Sequence, residues 1–229
     1  HVFALVQPKL ILVQNGRLFE GGLGSLDPDG VEVVAATAPP ESIAATPFAD
    51  LLSGRGEEAV AAAYAATGPD TVAKILFTSG STGLPKGVIN THGMLTSNQQ
   101  MIAQCWPFLD EAPPVLLDWL PWNHTFGGNH NFNMVLWNGG TLYIDEGKPA
   151  PGLVEKTVAN LRQVSPTIYF NVPAGFAALL PFLEKDRALA EAFFDKLQLI
   201  FYAGAALPQD LWDRLEALSI ATRGERVVM

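Results

Sequence analysis

The sequence predicts an α/β protein with mostly parallel sheets flanked by helices, and three observations support that fold class. From residue 71 onward, short apolar runs alternate with helical stretches, which is the order of a parallel sheet covered on both faces. Segments rich in glycine or proline follow several of these runs, at the strand ends where such sheets bind ligands. The 229 residues, 48% of them hydrophobic, provide an ample core.

The first part of the chain predicts a partial α/β subdomain and a connector over residues 1–70. Two apolar segments, "LILVQNG" and "VEVVAAT", suit two strands separated by a Gly- and Asp-rich link. Residues 38–70 have the composition of a surface connector, with a short helix near Glu57 to Ala66. The remaining residues, 71–229, are predicted to form the α/β subdomain that carries the functional site.

Within residues 71–229 the pattern is regular, and each element is predicted from its apolar period. The predicted strands are "AKILFTS", "VLLDWLP", "TLYID", "TIYFNV", "LQLIFYAG" and "RVVM". The predicted helices are "MLTSNQQMIAQCW", which begins near Thr91, then "NFNMVLWN", "LVEKTVANLRQV", "AGFAALLPFLEKD", "LAEAFFDKL" and "PQDLWDRLEALS". The chain starts at His1 in the middle of a strand-like region and stops on "RVVM", so we expect an internal fragment of a longer enzyme.

Composition excludes several classes of partner. The net charge of −9 and the pI of about 4.8 argue against nucleic acid and anionic membranes, which require clustered Lys and Arg. No apolar run is long enough to insert into a membrane. The single cysteine, Cys105, excludes an internal disulfide and a Cys-based zinc site, and fits a cytoplasmic setting. The sequence leaves the oligomeric state open.

The stretch "AKILFTSGSTGLPKGVIN", residues 73–90, is typical of a strand followed by an anion-binding loop. Glycines let backbone N–H groups turn toward a guest, while hydroxyls and an ammonium suit a polyphosphate. A Walker P-loop is excluded, because Pro85 stands where its second glycine should be and Gly87 follows the lysine. The candidate phosphate-binding residues are Thr78, Ser79, Gly80, Ser81, Thr82, Gly83 and Lys86.

The pattern "FTSGSTGLPKGV" resembles the phosphate loop of the adenylate-forming superfamily, which includes acyl- and aryl-CoA synthetases, luciferases and peptide-synthetase adenylation domains. The resemblance implies the fold of the large N-terminal domain of these enzymes, with the smaller C-terminal domain absent. It also implies an acid that attacks the α-phosphate of ATP, with Mg²⁺ bridging phosphate oxygens, and a CoA thiol that then takes the acyl group. Lys86 would be a catalytic residue there.

Two further segments resemble signatures of the same superfamily. In "LPWNHTFGG", His124 falls where relatives carry an aromatic or histidine residue beside the carboxylate, which implies a catalytic and substrate-binding role. A structural histidine, satisfied by backbone groups, is the alternative. His130 is predicted to line the acyl pocket; its spacing from His124 and the lack of a nearby cysteine make a zinc pair a poor hypothesis, so no protein-bound metal is predicted. In "FYAGAAL", Gly204, Ala205 and Ala206 would border adenine, or ease a tight turn, and both interpretations can hold.

A narrower resemblance, to bacterial feruloyl-CoA synthetases, is carried by "DWLPWNHTFGGNHNFNMVLWNGGTLYIDEGKP" and "YFNVPAGF". It implies a hydroxycinnamate-type acid as substrate. The candidates to bind its ring are Trp122, Phe126, Asn129, Asn131, Phe170 and Asn171, beside His130. Aromatic and amide side chains suit a planar phenolic ring. Trp122, Phe132 and Phe170 could equally be core residues, since aromatic residues near strand ends are more often core than pocket.

Three functions stay open at this point. The first is an ATP-dependent carboxylate–CoA ligase acting on a hydroxycinnamate-type acid. The second is an adenylating domain that loads a carrier protein, and the third is a non-catalytic nucleotide-binding module. The family's Thr-Glu motif, ribose-binding Asp and C-terminal catalytic lysine would follow Met229, so we expect the isolated chain to be inactive in adenylation.

Overall fold

The computed structural model describes residues 1–26, 30–54, 56–78 and 83–229. The chain divides into two compact units, the first His1–Gly68 with Phe77–Val88 and the second Pro69–Leu76 with Ile89–Met229. Each unit is described by itself below. The division into functional domains at residues 70 and 71 stays a prediction.

The first unit is built on a parallel sheet of order β1-β2-β3, and the prediction of two strands in residues 1–37 is confirmed. Leu12 of β1 lies opposite Val34 of β2, which is fully buried. The predicted helix near Glu57 is also confirmed. The elements are α1 Val2–Val6, β1 Leu10–Asn15, α2 Glu20–Leu23, β2 Glu32–Thr37, β3 Thr46–Pro47, α3 Phe48–Leu51 and α4 Glu57–Ala65.

Two strands, β4 Val72–Thr78 and β5 Lys86–Thr91, pair with each other and flank the predicted phosphate loop. The residues next to the loop belong to the first unit, and the outer ends of both strands belong to the second. Helix α5, His92–Cys105, follows at once, with Thr91 as its N-cap because the Thr91 hydroxyl accepts a hydrogen bond from Met94 N–H. The predicted helix start is confirmed.

The rest of the second unit alternates strands and helices as predicted. Its strands are β6 Val115–Asp118, β7 Thr141–Ile144, β8 Ile168–Asn171 and β9 Leu199–Tyr202. Its helices are α6 Asn133–Trp137, α7 Val154–Leu161, α8 Pro173–Lys185, α9 Arg187–Phe194 and α10 Gln209–Arg223. A 3-10 turn spans Pro107–Asp110, and a π-helix spans Thr125–Phe132.

The described strands β6 to β9 of the second unit form two parallel pairs, and β8 lies beside β6. The pairs β6–β7 and β8–β9 are parallel, and Thr167, just before β8, donates its N–H to the carbonyl of Val115 in β6 at 2.9 Å. The predicted strand "RVVM" is reduced to one bridge, between Leu199 and Val228. The neighbouring N–H, that of Val227, donates to the Ser219 hydroxyl instead of extending a ladder.

This sheet has two buried faces that differ in what covers them. One face is covered by α7, α8, α9 and α10, and we call it the packed face. There Tyr169 lies with Phe193 and Phe194 in one core cluster. We call the cavity face the other one, covered by α5 and the π-helix, where Ile168 and Phe170 belong to a second cluster. Strand β8 supplies both, because successive side chains of a strand point to opposite faces.

Candidate active site

A cavity of about 720 Å³ opens on the cavity face, at the carboxyl ends of β6, β8 and β9. This is the edge at which parallel α/β sheets bind ligands. The wall is mostly apolar, with a few polar side chains, as in small-molecule sites. The lining residues are Asn90, Met94, Leu95, Asn98, Trp119, Leu120, Pro121, His124, Thr125, Phe126, Asn129, His130, Val172, Phe201, Ala203 and Gly204.

The π-helix Thr125–Phe132 brings several of these side chains to the cavity, and the sequence did not predict it. Two glycines make its position possible. A Cβ on Gly127 would lie 2.5 Å from the Leu120 carbonyl oxygen, and one on Gly128 would lie 2.2 Å from the Trp122 oxygen. Only glycine permits such contacts, so "GG" lets the π-helix lie directly on the backbone that follows β6.

His124 begins the π-helix and also lines the cavity. Its Nδ1 accepts a hydrogen bond from the Phe126 N–H at 3.2 Å, which caps the helix. A neutral imidazole that accepts at Nδ1 carries its proton on Nε2. The side chain is exposed, so His124 can offer an Nε2–H donor to a guest. The structural and the substrate-binding interpretations of His124 are therefore compatible.

His130 lies in the cavity wall among aromatic rings. Its ring centroid lies 5.4 Å from that of Phe201, nearly parallel to it, and 5.2 Å from that of Phe170. Trp106 and Phe126 meet it edge to face. Burial among these rings lowers the pKa of His130, since a charged imidazolium loses its water there. His130 is therefore neutral near pH 7.

A buried polar chain lies behind His130, and it contains Asn131, which the sequence proposed for the pocket itself. His130 Nδ1 lies 2.9 Å from Asn131 Oδ1, and Asn131 Nδ2 donates to Asp118 Oδ2 at 2.8 Å. The other oxygen of Asp118 accepts the Leu120 N–H at 2.9 Å. Burial raises the pKa of Asp118 to about 6, and its hydrogen bonds only partly oppose that rise. The one available signal was a carboxylate inside the apolar strand "VLLDWLP".

Amide side chains of β5, α5 and the π-helix form a second polar group at the cavity. Asn129 Nδ2 donates to Asn90 Oδ1 at 2.8 Å, and Gln99 Nε2 donates to the Asn129 carbonyl at 3.0 Å. Asn129 Oδ1 is buried without a hydrogen-bond partner among the described residues. Such an orphaned acceptor is costly in an apolar wall and is typical of a ligand site.

Asn171, a predicted substrate-binding residue, lies behind the wall and not in it. It is buried, and its Oδ1 accepts from Trp119 Nε1 at 3.3 Å and from the Val172 N–H at 2.9 Å. Its Nδ2 donates to the Tyr169 hydroxyl. A Cβ on Gly175 would lie 1.9 Å from that Oδ1, so the amide and the glycine fit together. Asn171 therefore positions Trp119, which does line the cavity.

The predicted adenine segment reaches the cavity through its first residues. Ala203 and Gly204 line it, whereas Ala205 and Ala206 are exposed outside the lining. Gly204 has φ +90°, a conformation that favours glycine, so the turn interpretation of this residue holds as well.

The candidate phosphate loop belongs largely to the first unit. Thr78, Gly83 and Lys86 are exposed there, and Gly83 has φ +87°. Ser79, Gly80, Ser81 and Thr82 lie outside the described residues.

The part of the chain that the structure describes contains neither a metal-binding cluster nor a membrane-spanning helix. Over residues 1–26, 30–54, 56–78 and 83–229, no group of three or more His, Cys, Asp or Glu side chains could hold a metal ion. Over the same ranges, no helix has the length and apolar character needed to cross a bilayer.

Comparison with known proteins identifies the family. The model of the AMP-binding enzyme family matches residues 1–227, so the chain belongs to that family. The α/β fold is that of the N-terminal domain of adenylate-forming CoA ligases, and the predicted fold class is confirmed.

Three similar proteins are CoA ligases of much greater length. A 3-[(3aS,4S,7aS)-7a-methyl-1,5-dioxo-octahydro-1H-inden-4-yl]propanoyl:CoA ligase from Rhodococcus jostii is 28% identical over 173 residues, which cover 74% of this chain and 32% of that protein. A benzoate–CoA ligase from Thauera aromatica is 30% identical over 176 residues, covering 72% and 31%. The solved structure of an anthranilate CoA ligase with anthranoyl-AMP matches 99% of this chain and 41% of that one, at a TM-score of 0.70 and 20% identity. The chain thus spans about a third of the length of these curated relatives.

Proposed function

We propose that this chain forms the acid- and adenylate-binding part of an ATP-dependent carboxylate–CoA ligase, acting on an aromatic acid of the hydroxycinnamate type. One observation carries the proposal most: an apolar cavity at the sheet's carboxyl edge, with aromatic walls and the Nε2–H of His124 available at its surface. The AMP-binding family match supports the reaction class, and the CoA ligases among the relatives support CoA as the acyl acceptor.

The aromatic wall favours a flat acid over an acetate-sized one. Phe126, His130 and Phe201 present ring faces and edges to the cavity, and aromatic pairs prefer such offset or edge contacts. A volume of about 720 Å³ lies within the ordinary range for small-molecule pockets. A substituted phenyl ring with a short acid side chain suits that shape, and an acetate would leave most of the cavity unfilled.

His124 is proposed to orient the carboxylate. A carboxylate is a weak electrophile, which is why it has to be activated. It is also repelled by the negative charge of ATP, so the protein has to hold the two anions together. A hydrogen bond from Nε2–H to one carboxylate oxygen leaves the other oxygen available for attack. Because Nδ1 is held by the Phe126 N–H, the ring direction is fixed before substrate arrives.

The phosphates of ATP are assigned to the loop, as a proposal from its sequence. Lys86 supplies a cation on a flexible stem, and the flanking hydroxyls and glycines supply donors. Magnesium enters as an ion held by the phosphate oxygens, since Mg²⁺ takes oxygen ligands and commonly binds through substrate phosphates. The proposed ATP-binding residues are Thr78, Ser79, Gly80, Ser81, Thr82, Gly83, Lys86, Gly204, Ala205 and Ala206.

The proposed reaction has two displacements. A carboxylate oxygen bonds to the α-phosphorus of ATP as the bond to pyrophosphate breaks, which gives an acyl-adenylate. The thiol sulfur of CoA then bonds to the acyl carbon, its proton is lost, and AMP leaves with the bonding electrons. His124 and Lys86 are the catalytic residues proposed for the first displacement, through orientation and charge neutralisation.

The test is carboxylate-dependent ATP–pyrophosphate exchange on the complete protein that contains these residues. Ferulate, benzoate, acetate and a medium-chain fatty acid are compared, and CoA is added to measure thioester formation. We expect the fastest exchange with ferulate. Fastest exchange with an aliphatic acid keeps the ligase and overturns the aromatic substrate, whereas loading of a carrier protein without CoA thioester favours the second candidate.

Substitution of Lys86 separates a ligase from a non-catalytic module. Lys86→Ala is expected to lower exchange by about 100-fold, because one removed charge contact in a phosphoryl-transfer site costs several kcal/mol. Lys196→Ala, at an exposed lysine outside the cavity, is the matched control. Equal exchange in both variants contradicts the role of Lys86, and measurable ATP binding without any exchange favours the module.

Two further parts of the proposal concern the chain itself. We expect the isolated 229 residues to bind acid without turnover, because they span about a third of the length of the matched relatives; exchange at the rate of the complete protein would contradict this. The cytoplasm is the proposed compartment, on the strength of the single cysteine alone. Fractionation of cells that express the protein tests it.

A further inference from the structure

The polar chain behind the cavity fixes the direction of every hydrogen bond in it. Asp118 as a carboxylate can only accept, so Asn131 turns its Nδ2 toward Asp118. The amide oxygen of Asn131 then faces His130, and an oxygen can only accept as well. His130 Nδ1, 2.9 Å from that oxygen, must therefore be the donor. The proton of the neutral imidazole is held on Nδ1.

The consequence appears at the other nitrogen of His130. With the proton on Nδ1, Nε2 carries a lone pair and is an acceptor. Burial disfavours the doubly protonated ring by lowering the pKa of His130, so Nε2 stays an acceptor near pH 7. His124 has the opposite arrangement, with Nδ1 accepting and Nε2 donating. The cavity wall thus holds two histidines whose Nε2 atoms have opposite roles, a donor on His124 and an acceptor on His130.

We propose that His130 determines specificity, with its Nε2 accepting a hydrogen bond from a hydroxyl on the aromatic ring of the acid, and that Asp118 and Asn131 hold it in that state. This inference rests on the proposed function and names the substrate feature that the site selects. The donor end of the wall, His124, takes the carboxylate, and the acceptor end takes the hydroxyl. Asp118 and Asn131 are positioning residues, since they act through His130.

The surroundings of His130 strengthen the preference for an acid with a ring hydroxyl over one without it. Phe170, Phe201 and Phe126 surround its ring with apolar surface, so water competes poorly for Nε2 once an acid fills the cavity. A site built to bond a hydroxyl rejects an analogue that lacks it, because its own polar atom is left unpaired. A methoxy group is worse, since its oxygen offers a lone pair and no proton.

The experiment measures affinity across acids that differ only in that donor. Dissociation constants of the complete protein are measured by calorimetry for cinnamate and for its 2-, 3- and 4-hydroxy and methoxy derivatives. We expect at least one hydroxycinnamate to bind about 10-fold more tightly than the methoxy acid of the same position, the effect of one partly buried hydrogen bond. Equal affinity within all three pairs would overturn the inference.

Two variants test the residues. His130→Phe keeps an aromatic ring beside Phe201 and removes the acceptor, so the hydroxy-to-methoxy ratio of affinities should fall to near one. His92→Phe, an exposed histidine that begins α5 outside the cavity, is the matched control and should keep the ratio. An unchanged ratio in His130→Phe would overturn the role of His130.

Asp118→Asn tests the positioning, and remains informative if His130→Phe does not fold. The new amide turns its oxygen toward the Leu120 N–H and its nitrogen toward Asn131, which reverses the Asn131 amide. His130 Nδ1 must then accept, so Nε2 becomes a donor. The affinity for the methoxy acid should rise relative to that for the hydroxy acid. Imidazole ¹⁵N chemical shifts distinguish the two neutral tautomers directly. If the hydroxy-to-methoxy ratio of affinities and the tautomer of His130 both stay as in the wild type, Asp118 and Asn131 do not set the protonation of His130.

The outcomes separate this inference from the proposed function. Rapid pyrophosphate exchange with cinnamates, together with equal affinity for hydroxy and methoxy acids, would contradict the His130 proposal and leave the ligase proposal standing. Absence of exchange with every acid would sink the ligase, while the calorimetric ratios would still decide for or against His130.

Discussion

The packed face and the cavity face of the second unit each bury a carboxylate, but the two carboxylates have different hydrogen-bond partners. On the packed face, Asp145 accepts from the Gly147 N–H at 2.9 Å, Thr157 Oγ1 at 2.5 Å and Asn160 Nδ2 at 2.9 Å. On the cavity face, Asp118 accepts from the Leu120 N–H and Asn131 Nδ2, and its pKa is raised to about 6. The two carboxylates lie at the ends of adjacent strands, where the Asp145 N–H donates to the Asp118 carbonyl.

One sheet can therefore be tightly packed on one face and leave room for a ligand on the other. On the packed face a fully bonded carboxylate joins the end of β7 to α7, and buried aromatic residues fill the core. The cavity face leaves Asn129 Oδ1 without a partner among the described residues and orients two histidines oppositely. We infer that the packed face supplies the stability and that the cavity face is free to carry the less favourable polar groups.

The largest expected effect compares one aromatic residue from each face. Phe193→Ala should lower the free energy of unfolding by about 4 kcal/mol, because Phe193 is fully buried and its loss leaves a void. Phe126→Ala should lower it by about 1 kcal/mol, because Phe126 already borders an open cavity, but should weaken acid binding. Denaturant unfolding measures the first quantity and calorimetry the second. Equal losses of stability would break the distinction between the faces.

Removal of Asp145 tests the same distinction with a polar group. Asp145→Ala should cost about 3 kcal/mol in unfolding free energy, because the Thr157 hydroxyl, the Asn160 amide and the Gly147 N–H are all left without their acceptor. Asp145→Asn keeps one acceptor oxygen and is the matched control, with a smaller loss. A loss below 1 kcal/mol for the alanine variant would show that these donors find other partners.

The sequence predicted the alternation of strands and helices well because that pattern is local. Helix α5, for example, begins with a Thr91 cap that stands next to it in the chain. The π-helix was missed because its cause is tertiary: Gly127 and Gly128 lie on carbonyls of the chain that follows β6. The strand "RVVM" was overestimated, since its composition does not reveal that the Ser219 hydroxyl takes the Val227 N–H.

The candidate site divides in the same way. His124, Phe126 and His130 could be named from the sequence, because they form one short motif that lies at the cavity. Asn171 was expected in the wall for its polarity, yet its amide is bonded to Trp119 and Tyr169. Asn131 was expected in the pocket, but its bond to Asp118 was missed, because the two residues stand thirteen positions apart and only the fold brings them together.

The third prediction concerns pH and the cavity face. Asp118 binds its proton more tightly folded than unfolded, so its contribution to stability is full below about pH 4 and is lost as pH rises through about 6. Asp118→Asn should therefore gain stability relative to the wild type between pH 4 and pH 7, by about 2 kcal/mol. Urea unfolding of both proteins across that range measures the gain. A difference independent of pH would contradict the raised pKa.

The smallest expected effect lies at the rim of the packed face, where Arg214 of α10 pairs with Glu184 of α8. The guanidinium donates Nε–H to Oε1 at 2.8 Å and an Nη–H to Oε2 at 2.7 Å, a bidentate geometry. The side chains are 46% and 37% exposed, so water and salt screen the pair. A double-mutant cycle of Arg214→Met and Glu184→Gln should give a coupling of about 0.5 kcal/mol that falls further in 1 M salt.

That coupling decides what holds α8 and α10 on the packed face. If it is as small as expected, helix docking depends on buried apolar residues such as Leu180, Leu211 and Leu215, all in one core cluster. Leu215→Ala, one residue along from Arg214, is the comparison, with an expected loss of about 3 kcal/mol. A coupling above about 3 kcal/mol that survives salt would reverse this order, and the ion pair would then be a main force that holds the two helices on the packed face.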